Sequence, residues 1–79
     1  MQSMEQIVHR TLAGIMKQPG IRGDQDLTHD LRVDSLAFIQ IVAELEQVTG
    51  IRFEDEDLVP ELFRTVDDLT RYLANRQPQ

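Results

Sequence analysis

The chain has no cysteine. That absence excludes a disulfide framework, a thiolate metal site and a cysteine nucleophile, and it leaves the chain without a thiol of its own. Histidine occurs only as His9 and His29. Their separation fits no zinc spacing, so neither is given a chemical role and no metal site is expected. Long hydrophobic runs are missing too. No stretch approaches the roughly 20 apolar residues of a membrane span, and none looks like the core of a secretory leader. The expected compartment is the cytosol. Positive charge is scarce: eight Lys and Arg stand against fourteen Asp and Glu, a net charge of −6. Phosphate backbones and anionic membranes require clustered cations, so neither nucleic acid nor membrane is an expected partner. A charge of this size serves solubility in any small protein. Its distribution says more. Between Asp34 and Glu61 there are eight acids and a single base, Arg52. Basic protein surfaces are the natural complement of such a segment.

At 79 residues the chain is one domain, 1–79, with a core from about 4 to 74 and a polar tail over 75–79. A domain this small buries a modest share of its surface. It has no room for both a core and a deep catalytic cleft, which counts against an autonomous enzyme.

What is present reads as helix. Met4, Ile7, Val8, Leu12, Ile15 and Met16 share one face at helical spacing. Ser3 and Gln6 form a capping box ahead of them, and Pro19-Gly20 is expected to stop the helix. Residues 17–33 form a long connection, of a length usually reserved for function or disorder. Leu27 and Leu31 are spaced to pin it to the core. Asp34 caps a second helix. Its residues Leu36, Phe38, Ile39, Ile41, Val42, Leu45 and Val48 cover more than half its circumference. A surface helix shows a narrower stripe, so this one is central, or exposes an apolar strip, or both. Gly50 ends it, and Ile51 and Phe53 return to the core. Glu54 to Leu62 reads as a short acidic helix kept irregular by Pro60. Thr65 and Asp68 make a second capping box, opening a last helix with Val66, Leu69, Tyr72 and Leu73 inward. No period-two run of strand length occurs. The expected fold is an all-α bundle of three main helices and one short helix.

Ser35 directly follows the Asp34 cap. It reads either as an ordinary helix-start residue or as a modification site, where a phosphate ester would meet outward-pointing N–H groups and the helix dipole. A catalytic serine would need a general base such as His29, oriented by Asp26 or Asp30. A domain of this size cannot build a water-excluding pocket around them, and the Gly-x-Ser-x-Gly elbow is absent.

Leu31-Arg32-Val33-Asp34-Ser35-Leu36 resembles the Asp-Ser-Leu signature of acyl carrier proteins. The tripeptide alone is a weak signal. The likeness continues without an evident gap through Phe38-Ile39-Gln40-Ile41-Val42-Ala43-Glu44-Leu45-Glu46, the family's second helix. It then runs through Gly50-Ile51-Arg52-Phe53, the acidic Glu54-Asp55-Glu56-Asp57 segment and Thr65-Val66-Asp67-Asp68-Leu69, and spans roughly residues 4–74. The resemblance implies that a magnesium-dependent phosphopantetheinyl transferase attaches 4′-phosphopantetheine to Ser35, with Asp34 helping that enzyme hold its metal ion. The arm's thiol would then carry acyl groups as thioesters. The lack of cysteine agrees with a sulfur that arrives on a prosthetic group. The implied partners are the transferase, an acyl-loading enzyme and ketosynthase- or acyltransferase-type enzymes, met by a monomer.

The sequence departs from the family's fatty-acid members. Arg32 stands where Gly is common, Ala37 where an acid is common, and Gln40 and Gln47 where many have Glu; Glu46 keeps its acid. The surface expected to meet partners is therefore Leu36, Ala37, Gln40, Ala43, Glu46 and Gln47, with Asp55 beyond, and its thinned charge points to a specialised pathway such as polyketide synthesis. Leu36 is expected to be partly exposed. Phe38, Ile39, Val42 and Tyr72 either line space for an acyl chain or are ordinary core, the second being favoured. An aminoacyl or peptidyl carrier, and a helical interaction module without an arm, remain as alternatives. Met1 and the short tail suggest a free-standing protein.

Overall fold

The structure is a computed structural model that describes residues 2–77. Three α-helices carry it: α1 (Met4–Met16), α2 (Ser35–Thr49) and α3 (Val66–Arg76), with a 3₁₀ turn at Asp55–Asp57 between α2 and α3. Among the described residues there is no named strand, only an isolated antiparallel bridge between Asp26 and Thr65. The all-α expectation holds.

Each helix starts where its cap dictates. Ser3 Oγ accepts from Gln6 N–H while Gln6 Oε1 accepts from Ser3 N–H, at 3.1 and 3.0 Å. Thr65 and Asp68 repeat the arrangement before α3. Asp34 caps α2 by accepting from Ala37 N–H at 2.8 Å. Such caps satisfy amides that have no partner inside the helix. α1 ends at Met16, where the sequence reading begins the connection: Lys17 turns left-handed (φ 54°) and donates to Ala13 O, with Pro19 close behind. One end differs from that reading. α3 continues through Asn75 and Arg76, which the sequence assigns to a polar tail. Arg76 is held there by Arg52 O at 3.2 Å, Glu54 at 2.7 Å and the face of Tyr72, 5.3 Å away. Pro78 and Gln79 lie outside the described residues.

The core takes one stripe from each helix: Val8 and Leu12 from α1, Ile41, Val42 and Leu45 from α2, and Val66, Leu69 and Leu73 from α3. Full burial of such side chains contributes about 1.5–3 kcal/mol each. Among the described residues no polar or charged residue is buried. The connection after α1 is a structured part of the core. Leu27 and Leu31 are buried in it. Asp26 Oδ1 accepts from Thr28 N–H and His29 N–H at 2.9 and 2.8 Å, an Asx turn that folds the segment on itself. Leu27 N–H donates to Arg64 O and Val66 N–H to Gln25 O, tying it to the start of α3. This fixes the stretch leading into α2. The acidic segment is less helical than expected: the 3₁₀ turn has three residues, followed by turns around Pro60.

Candidate functional site at the head of helix α2

Ser35 is the first residue of α2 and is exposed. Among the described residues no side-chain hydrogen bond reaches its hydroxyl. The preceding Asp34 is extended (φ −95°, ψ −176°), so the chain enters the helix abruptly and the serine projects at the corner. Asp34 Oδ1 is occupied by Ala37 N–H. The amides of Ser35 and Leu36 precede the first intrahelical bond, Phe38 N–H to Asp34 O at 2.8 Å, and remain available to an anion.

Beside Ser35 runs an open groove of about 600 Å³. The long loop gives it Leu27, Thr28 and Val33; α2 gives Asp34, Ser35, Phe38, Ile39, Val42, Ala43 and Glu46; Leu58, Pro60 and Phe63 close the far side. Its walls are mainly apolar. Phe38 and Phe63 meet with ring centres 5.8 Å apart, and Phe63 packs in turn on Phe53 and Tyr72. The exposed hydroxyl, the free amides of the first turn and the adjoining apolar trough fit a phosphate ester carrying a long, mostly uncharged arm. Ser35, Leu36 and the groove walls would hold it.

Among the described residues no base is hydrogen-bonded to Ser35 Oγ. His29 is exposed, and Asp26 and Asp30 are used in the loop: Asp30 Oδ2 accepts from Asp26 N–H at 2.7 Å. Donation from His29 N–H, followed by that from Thr28 N–H, holds the Asp26 carboxyl below its usual value against the opposing effect of burial.

The residues expected to meet partners differ in exposure. Leu36 is 68% exposed, and Gln40, Ala43 and Gln47 are exposed on α2. Ala37 is half-buried and packs against the core, one turn before Ile41 on the inward row. Glu46 is half-buried, and its Oε2 accepts Phe53 N–H at 2.8 Å, which pins the chain after α2. Asp55 is exposed on the 3₁₀ turn and does not line the groove. Tyr72 does not line it either: it stacks on Phe53 at 5.0 Å and donates to Asp57 Oδ2 at 2.7 Å. Ile39, favoured as core, is 64% exposed. With Leu36 and Ala43 it makes an outward apolar row at spacings of three and four. The excess apolar circumference of α2 was the sequence signal for it.

Among the described residues, no helix is long and apolar enough to cross a membrane. Residues 6–73 match the family model described as "Phosphopantetheine attachment site". The chain is 35% identical over 54 residues to an acyl carrier protein of Arthrobacter sp. (strain FB24), a match covering 68% of this chain and 64% of that protein's length. It is 35% identical over 57 residues to one of Kineococcus radiotolerans, covering 72% and 68%. Its backbone superposes on a putative acyl carrier protein from Mycobacterium tuberculosis with a TM-score of 0.83 and 31% identity, covering 92% of this chain and 97% of that one.

Proposed function

The chain belongs to the acyl carrier protein family, defined by a phosphopantetheine attachment site, and from that premise we propose that Ser35 receives the arm and that the protein carries acyl groups on it as thioesters. One observation carries this reading: an exposed, unbonded serine hydroxyl at the first turn of α2, beside a groove of about 600 Å³. Transfer from coenzyme A forms one bond, from Ser35 Oγ to phosphorus, and breaks the phosphoanhydride bond. The adenosine bisphosphate leaves, and the hydroxyl proton passes to a base of the transferase. Asp34 has two parts in this: it caps α2, and it presents its second carboxylate oxygen to the metal ion of that transferase. The protein acts as a substrate of its partners and needs no base of its own for the transfer.

Partners meet the outward row of Leu36, Ile39 and Ala43, with Gln40 and Gln47 at its margin. Apolar contact dominates this face over charge. Such a face discriminates by shape, where a charged rim would chiefly raise the association rate. That is the support for a specialised pathway, of polyketide type, over housekeeping fatty-acid synthesis. Efficient replacement of a housekeeping carrier in a reconstituted fatty-acid synthase would overturn the pathway assignment and leave the carrier role standing.

Intact mass after incubation with coenzyme A, magnesium and a broad-specificity transferase tests the attachment. The wild type should gain one phosphopantetheine and Ser35→Ala none. A folded wild type that gains nothing from several transferases would instead indicate a helical module without an arm.

A further inference from the structure

We propose a divalent metal site between α1 and α3, built by Glu5, His9 and Asp67 and suited to zinc. It is independent of the Ser35 groove, which none of the three residues lines. Glu5 and His9 lie four residues apart on α1 and so share one face. Asp67 reaches the same point from the first turn of α3. One ligand atom from each lies within 4.8 Å of the other two. His9 Nε2 is shut off from solvent and has no hydrogen-bond partner. Two carboxylates thus stand close to the His9 imidazole, whose Nε2 has no hydrogen bond closed to it. Metal–ligand bonds of about 2.0–2.2 Å at suitable angles span such a gap after small side-chain rotations.

The third ligand is positioned from outside the cluster. Asp67 N–H donates to Gly23 O at 2.9 Å. Its carboxylate lies over Gly23, where an added Cβ would stand 2.1 Å from Oδ1. A side chain at residue 23 would therefore displace the ligand. The donor set selects the metal. Calcium and magnesium take all-oxygen shells, whereas one imidazole with two carboxylates suits zinc and its transition-metal neighbours. Three protein ligands leave a position for water. The ion would clamp the first helix to the last, a long-range cross-link in a small domain. Spacing between the two histidines could not reveal this site, because His29 takes no part and Asp67 is 58 positions beyond His9.

Zinc titration of the full chain by calorimetry, with thermal melts and imidazole nitrogen NMR, tests the site. One equivalent should bind saturably and raise Tm, and zinc should shift the His9 imidazole nitrogen resonances and not those of His29. His9→Gln should abolish binding, and Asp67→Asn should weaken it at least tenfold. Gly23→Ala, which removes no ligand, should weaken it as well, while His29→Gln leaves it unchanged. The NMR shift is read on the wild type, so it decides the matter even if a variant folds poorly. Binding that survives His9→Gln, or that maps to Glu54–Asp57, overturns the proposal. So does the absence of saturable binding, in which case an ordinary water satisfies His9.

Discussion

Single residues at the head of α2 balance stability against presentation. Arg32 sits in the left-handed region (φ 58°) three residues before Ser35. A side chain there crowds the backbone, at about 1–2 kcal/mol relative to the right-handed form, while glycine brings a larger unfolded-state entropy. The first effect is the larger, so Arg32→Gly should stabilise the fold by about 0.5–1 kcal/mol, seen as a higher urea midpoint with an unchanged slope. The adjacent cap works in the other direction. Asp34→Ala should cost about 1 kcal/mol through the lost bond to Ala37 N–H. Asp34→Asn keeps an acceptor and should recover most of that stability. If the carboxylate also serves the transferase's metal ion, Asp34→Asn will fold like the wild type yet be loaded more slowly, a separation that melting curves and mass spectrometry read together.

Between elements, the short 3₁₀ turn depends on α3. Tyr72 OH donates to Asp57 Oδ2 and accepts from Glu54 N–H at 3.0 Å, and Arg76 adds its ion pair to Glu54. Burial first, and then the bond to Asp57, raises the Tyr72 phenol above its usual value, so the donor is retained throughout the neutral range. Tyr72→Phe keeps the ring stack and loses both bonds. Hydrogen exchange at Glu54 N–H should accelerate, with about 1 kcal/mol lost in global stability. The sequence showed an acidic segment here and a short helix kept irregular by Pro60. Local propensity allows one turn; the partners that hold it come from α3, fifteen or more residues away.

Over the whole molecule, the acids that fasten the long loop and α3 set the acid limit of the fold. The Asp68 carboxyl is half-buried, which opposes ionisation, but donation from Thr65 N–H, Arg64 N–H and Arg71 outweighs that and lowers it. Asp26 is lowered as well, by His29 N–H first. Both folded values lie below the ordinary 3.8. The unfolded chain therefore binds more protons in this range, and the stabilisation is complete above that value and disappears as pH falls through the folded values. Stability should be level near neutrality and decline below about pH 4. In Asp26→Asn/Asp68→Asn the decline should be shallower, as read from thermal melts at stepped pH. An acid limb unchanged in the double variant would assign it to other carboxylates.

The sequence by itself determined the helices, their caps and the serine. These rest on local physics: the 3.6-residue period of apolar positions, side chains within four residues of the amides they satisfy, and a motif contiguous along the chain. Ser3, Asp34 and Thr65 cap where their sequence neighbours require it. Tertiary structure decided what depends on distant residues. Ala37 turned inward and Ile39 outward because packing of α2 against α1 and the loops chooses which part of an over-wide apolar surface is buried. Glu46 became a backbone acceptor because Phe53 returns beneath it. The Glu5–His9–Asp67 cluster exists because α1 and α3 pack together, a juxtaposition that neither helix encodes alone.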